Sequence, residues 1–333
     1  MDTTLHSSRR NAIRVLGYAS IAAVVSIIPF VGHAAGFPDK PITLVVGFSP
    51  GGSNDITARA IAEPMSKILG VPVLVENKVG ASGMIATNYV ANAKPDGYTL
   101  MVSSASPLVI TPHTHGNVSY DSRNDFQPIS LIGITPLTMA INPKVGANNL
   151  AELVALAKSG KISVASSGTG GLPHLTIELF RNAAGGNVVH VPYKGAGPAV
   201  TDTLAGHVDA IVVDLPAVHK QIQSGSLKGI AMANDKRSEF LPNLPTSGEQ
   251  GMPSFVGVNW IGLIGPKKMS ADVTAKLHGA LLKAVQEPKV KQILAGAAVE
   301  VSTNASPSEF GKFINAEYDK WGDTVKKANV KAN

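Results

Sequence analysis

The 333-residue chain contains no cysteine, which removes thiol catalysis, thiolate metal sites and disulfide bridges together. Aromatic residues make up 5% of it and charged residues 16%. Its lysines are scattered, with no basic stripe interleaved with aromatics, so nucleic acid is not an expected partner. No G-x-S-x-G elbow occurs, and neither Phe48 to Asp55 nor Ser166 to His174 ends in the G-K-[ST] of a phosphate-transfer loop. The stretch from Gly47 to Gly52 also lacks dinucleotide-binding spacing. His113-Thr-His115 has no third and fourth ligand at known spacing and reads as solvated loop histidines. No cofactor, metal or catalytic residue is expected, and the chain does not read as an enzyme.

What is present begins with export. Arg9, Arg10 and Arg14 precede an apolar segment, Val15 to Val31, which ends in Gly32-His-Ala-Ala-Gly36. Residues 1–35 therefore read as a signal peptide cleaved after Ala34 or Ala35, which marks the mature chain as exported. A membrane anchor is the alternative, but Gly17, Ser20, Ser26 and Pro29 interrupt a run already short for a span. Ser8-Arg-Arg-Asn-Ala-Ile-Arg14 approaches a twin-arginine signal, and an ordinary basic leader is the other reading. Losing three arginines and Asp2 lowers the formal charge from +6 to +4, a modest surplus compatible with an anionic ligand. An exported chain without disulfides must be held by core packing, for which 44% hydrophobic residues supply the material.

From Phe37 short β-branched runs alternate with amphipathic stretches, the pattern of an α/β fold with helices covering mainly parallel strands. Strands are expected at Ile42 to Phe48, Val71 to Val75 and Tyr98 to Val102, with helices from Ile56 and Met84. Pro64 is expected to kink or split the first helix. Thr, Pro, Asn and Asp fill residues 107–136, which read as irregular. The alternation restarts with a strand at Leu137 to Ile141 and continues to Ala233. Phe255 to Ile264 reads as the return crossing to the first lobe, and mainly helical segments complete that lobe. Doubly wound units of this kind bind ligands beyond the C-terminal ends of their strands.

The candidate site residues lie on those loops. Phe48, Ser49, Gly51, Gly52 and Ser53 form a glycine turn into a helix, either a plain tight turn or an anion cradle of backbone N–H groups. Asp55 reads as support for that helix start. Ser103, Ser104 and Ser106 end the third strand beside this loop. In the second half, Ser166, Ser167, Gly168, Thr169 and Gly170 enter a helix that carries His174. Tyr193 and Lys194 follow another strand, and Asp214 either meets a ligand donor or caps the next helix. The donors are neutral and lack an acid-base pair, which favours reversible anion capture over catalysis.

Phe48-Ser-Pro-Gly-Gly-Ser-Asn-Asp55, Val75-Glu-Asn-Lys-Val-Gly-Ala-Ser-Gly83, Ala93-Lys-Pro-Asp-Gly-Tyr98, Ser167-Gly-Thr-Gly-Gly-Leu-Pro-His174, His190-Val-Pro-Tyr-Lys-Gly-Ala-Gly-Pro198 and Leu204-Ala-Gly-His-Val-Asp-Ala210 resemble, in order, the Bug-type substrate-binding proteins of tripartite tricarboxylate transporters. The resemblance implies a two-lobed periplasmic binding protein of type II-like form. Its lobes would be residues 37–139 with 262–333, and residues 140–261, with crossover strands near Leu137 to Asn142 and Asn259 to Ile264. It implies that a ligand carboxylate is held by Phe48 to Ser53 and by Ser166 to Gly170, partly through water, while Tyr193 and Asp214 select its distal part. The ligand would be a di- or tricarboxylate, an acidic amino acid or an aromatic acid, and the other partners the integral membrane subunits of the transporter. The receptor is expected to act as a monomer. A ligand sensor for a signalling protein and a periplasmic enzyme acting on a carboxylate are the alternatives. Val213-Asp-Leu-Pro216 departs from the more frequent Asp-Asn form and bears on distal specificity.

Overall fold

The computed structural model describes residues 36–331. The leader, its cleavage site and the twin-arginine motif lie outside the described residues. Strand β1 (Ile42–Val46), helix α1 (Ser53–Leu69), β2 (Val73–Asn77), α2 (Met84–Ala91) and β3 (Thr99–Ser104) make a first β-α-β-α-β unit. A π-helical turn (Ser106–Ile110) runs into the single turn α3 (Thr111–Thr114), and the long strand β4 (Phe126–Ile141) follows. Next come α4 (Leu150–Ser159), β5 (Lys161–Ser166), α5 (Leu172–Ala184), β6 (Asn187–Pro192), α6 (Ala196–Ala205), β7 (Ala210–Asp214), α7 (Leu215–Gln223) and β8 (Lys228–Ala233). The chain ends with β9 (Val258–Pro266), α8 (Ala271–Gln286), α9 (Pro288–Gly296), β10 (Glu300–Val301) and α10 (Pro307–Ala328).

The strands form one curled mixed sheet in the order β2-β1-β3-β9-β4-β7-β5-β6, with β8 and β10 also pairing β4. β1 lies between β2 and β3 and is parallel to both, so a helix crosses over between each successive pair of strands. β5 is likewise parallel to β6 and β7. The antiparallel pairs gather in the middle, where β9 joins β3 to β4. From Phe126 to Pro136 β4 pairs with β9; from Leu137 to Ile141 it pairs with β7 and β8. One strand is therefore common to both halves of the sheet.

Three expectations are corrected here. Helix α1 runs through Pro64 without a break. A proline costs an interior helix about 3 kcal/mol, and the buried face of α1 offsets this, because Ile61 and Met65 are fully buried with Leu277, Leu281 and Val290 of α8 and α9. The segment 107–136 is irregular only from His115 to Asp125. Leu108, Val109 and Ile110 are buried in the π-helical turn, and β4 already begins at Phe126. Pro128, Gly133 and Pro136 read as breakers, but β4 absorbs the first two through register shifts against β9 and places Pro136 where its partners change. His113 and His115 are half-buried, not solvated, and the His113 ring lies 4.2 Å from that of Tyr318. Ser306 caps α10, accepting from the N–H of Glu309 at 3.2 Å.

The largest apolar cluster is continuous across both halves, from Met101, Trp260 and Phe310 to Leu137, Phe180 and Val212. Gly262 of β9 faces the Phe310 ring so closely that an added Cβ would collide with it. Gly262→Ala should cost about 1–3 kcal/mol, seen as a lower urea midpoint at unchanged slope. Gly116→Ala, with nothing within 4 Å of its Cβ position, should leave the midpoint in place.

Candidate ligand-binding cleft

The C-terminal ends of β1, β3, β5, β6 and β7 carry the loops named as candidates, and the helices after four of them start at one place. Gly52 precedes α1, Gly171 precedes α5, Gly195 precedes α6 and Asp214 precedes α7, and none of these starts has a side-chain cap. The first N–H groups of a helix have no intrahelical acceptor and carry the positive end of its dipole. Gly52, Ser53 and Asn54 from α1 line a shared cavity with Pro173, Ala196 and Asp214 of the other helix starts. Phe48, Ser104, Ser106, Ser167, Val213 and Asn259 complete the wall. The space between them is about 20 Å³, room for a water-sized sphere. A small-molecule ligand therefore enters only as the walls move apart.

Direct bonds join the two sides. The Ser82 hydroxyl donates to the Thr169 carbonyl at 2.6 Å, Thr114 Oγ1 to the Gly170 carbonyl at 2.7 Å, and the Leu172 N–H to Ser106 Oγ at 3.0 Å. At Gly195, whose φ is +140°, an added Cβ would stand 2.8 Å from the Ser49 nitrogen. Backbone meets backbone there.

Asp214 lies half-buried at the wall of this cavity. Its carboxylate accepts from the Ser53 hydroxyl and from Asn259 Nδ2, the latter at 2.9 Å. It makes no capping bond to α7, so the capping alternative does not hold. Burial lifts its titration to about 6, against the opposing pull of the Ser53 and Asn259 hydrogen bonds. Asn259 is itself fixed, since its Oδ1 accepts from the Ala105 N–H at 3.2 Å. Asn54 ties the start of α1 to β3 by donating to the Val102 carbonyl at 3.2 Å.

Asp55 acts as helix support, with a consequence for the cradle. Burial pushes its carboxyl up, but hydrogen bonds from Arg59, Asn77 and the Gly51 N–H outweigh this and hold it below the usual range. The Gly51 N–H thus points to Asp55 Oδ2 at 3.1 Å, away from the cavity. The Ser49 hydroxyl is buried without a partner, and so is that of Ser103, whose neighbour Ser104 faces the cavity instead.

On the second side Ser167 reaches the cavity, while Ser166, Gly168, Thr169 and Gly170 shape the loop behind it. His174 lies behind that loop, where it accepts from the Gly170 N–H at 2.9 Å and stacks on His190. Tyr193 donates to Asp202 at 2.7 Å, outside the cavity, and burial followed by Asp202 pushes its hydroxyl up to about 12. Lys194 is exposed. Asn54, Asn259 and Ser82 were not nominated from the sequence. Asn259 did carry a signal, as a polar side chain inside the apolar run Phe255 to Ile264.

A two-lobed α/β chain with its cleft at the strand C-termini defines the class of periplasmic binding proteins. The family described as tripartite tricarboxylate transporter family receptor matches residues 57–330, and the chain belongs to that family. It is 35% identical over 326 residues to Protein BugT of Bordetella pertussis, covering 96% of this chain and 99% of that one. Among solved structures, the periplasmic binding protein BugD matches with a TM-score of 0.85 at 34% identity, over 89% of this chain and 99% of that one. MatC of Rhodopseudomonas palustris with bound malate matches at 0.82 and 28% identity, over 87% of this chain and 100% of that one. An R. palustris protein with adipate matches at 0.84 and 27%, over 89% and 99%.

The raised titration of Asp214 sets a pH dependence. Below the ordinary carboxyl value of 3.8 the group is protonated whether the chain is folded or unfolded, and its contribution is fully present. As pH rises through about 6 the folded chain must hold a charge that the unfolded chain gives to water, and that contribution is lost. Asp214→Asn should therefore raise the melting temperature relative to wild type at pH 8, with the gain shrinking toward zero at pH 4 in parallel thermal melts.

Proposed function

We propose that this protein captures a small carboxylate in the cleft between its lobes and delivers it to the integral membrane subunits of a tripartite tricarboxylate transporter. The observation that carries this reading is the gathering of uncapped helix starts and serine hydroxyls around one cavity whose described lining contains no lysine or arginine. Neutral donors and helix dipoles hold a carboxylate without a buried counter-charge that would itself need a partner. Malate in MatC and adipate in the second R. palustris protein are carboxylates of the expected size. The contacts of Asp214 support the same chemistry, since the Ser53 hydroxyl and Asn259 amide already converge on a carboxylate. At that end of the cavity a ligand carrying a hydroxyl or ammonium donor is the better match. Asp214 has no acid-base partner in the lining, which favours binding over catalysis.

The moving parts are the lobes 37–139 with 262–333 against 140–261, hinged where β4 changes partners and where the chain enters β9. Closure would complete the site from both sides.

A ligand that binds only the folded chain raises its apparent stability by mass action. A thermal-shift panel of mono-, di- and tricarboxylates, hydroxy acids, acidic amino acids and aromatic acids should contain at least one strong stabiliser, and a flat panel would remove the carboxylate reading. For the best member, Ser53→Ala and Ser167→Ala should each weaken affinity about fivefold, or about 1 kcal/mol, by calorimetry. Unchanged affinity in both would assign capture to backbone groups or water.

A further inference from the structure

We propose that His174 is a positioning residue that holds one peptide of the second-lobe ligand loop in the orientation needed for closure, and that it does so only while its Nδ1 is unprotonated. The inference rests on the cleft reading above, because it concerns closure of the same cleft. The peptide joins Thr169 to Gly170. Its N–H donates to His174 Nδ1 at 2.9 Å, and its carbonyl accepts from the Ser82 hydroxyl at 2.6 Å. A trans peptide points these groups in opposite directions, so His174 grips one edge from behind the loop while Ser82 grips the other from across the cleft.

The accepting role of Nδ1 fixes the tautomer. A neutral imidazole that accepts at Nδ1 carries its proton on Nε2, and Nε2 faces Glu178 Oε1 at 3.3 Å. A ring protonated at Nδ1 would set N–H against N–H. Gly170 has φ +70°, a conformation that glycine adopts at no steric cost, so the peptide before it can turn over. Turning it removes the Thr169 carbonyl from Ser82 and parts the lobes at that contact. Ser82 shows independently that this contact is specified. Ser82 and its neighbour Ala81 both stand in the left-handed region, at φ 50° and 48°, a strain that non-glycine residues bear where a side chain must be held in place.

The groups facing His174 are Glu178 and Arg181 on α5, His190 on β6 and His115 at the end of α3. The His190 ring lies 3.9 Å from that of His174 and nearly parallel to it. Burial, then the nearby His174 and Arg181, hold His190 down at about 3. A groove of about 950 Å³, bordered by both rings and by Lys331, opens the pair to solvent. Imidazole exchanges its proton between pH 5 and 8, which sets the range for a test.

Because the chain has no cysteine, Lys67→Cys on α1 and Lys158→Cys on α4 can carry a unique pair of spin labels, one on each lobe. Distances are read at pH 8 and pH 5 with no ligand added, so the outcome is independent of which carboxylate binds. We expect the short-distance population to fall at least threefold at pH 5. His174→Asn supplies an accepting oxygen that does not titrate and should keep the short distance at both pH values. His174→Phe keeps a ring against His190 but cannot accept, and should be open at both. A wild-type distribution that ignores pH, or a His174→Phe protein closed like wild type at pH 8, overturns the proposal. In ¹⁵N-labelled wild type the Gly170 amide should shift with the same midpoint as the His174 ring, and an amide that stays still while the ring titrates overturns it as well.

Discussion

The structure depends on one strand being shared. β4 pairs with β9 along its first part and with β7 and β8 along its last, and the backbone groups of an interior strand must be satisfied along both edges. The two halves of the sheet are therefore parts of one hydrogen-bonded ladder, and the apolar cluster beneath them is continuous from Phe310 to Phe180. At the other side of the molecule the halves also meet through single hydrogen bonds such as Ser82 to Thr169 and Thr114 to Gly170. The joint between the halves is thus a continuous ladder on one side and separate hydrogen bonds on the other.

The cleft follows from the same topology. Parallel strands deliver their C-terminal ends, and hence the N-termini of the following helices, to one edge of each half-sheet. Opposing the two edges brings the starts of α1, α5, α6 and α7 together. Their partial positive charges make the cavity receptive to an anion without a lysine or arginine in the lining. Asp214 supplies the opposite polarity, and its raised titration is the electrostatic consequence of placing a carboxyl in such a confined space.

Much of the fold was legible in the sequence because its signals are local. Alternation of β-branched runs with amphipathic stretches identified the β-α units. The misreadings came where tertiary packing overrode local preference. Pro64 sits within a continuous α1 because the buried face of that helix outweighs the proline. Pro128, Gly133 and Pro136 hid β4, since bulges and a change of partners accommodate them only once β9, β10 and β7 are beside them. For the site, the glycine and serine loops were visible as loops. Which of their atoms face inward was not.

By itself the amino-acid sequence determined the α/β alternation, the absence of thiol chemistry, the set of loops at the strand ends and the family to which they belong. These depend on residue type and on spacing along the chain. Only the tertiary structure decided that the Gly51 N–H turns to Asp55, that Ser104 and not Ser103 meets the cavity, that Asn259 and Ser53 hold Asp214, and that His174 stands behind the loop Ser166 to Gly170. Each of these is a choice among hydrogen-bond partners. Some of the decisive partners lie more than a hundred residues away, as Ser53 does from Asp214, and no local pattern encodes which of them will arrive.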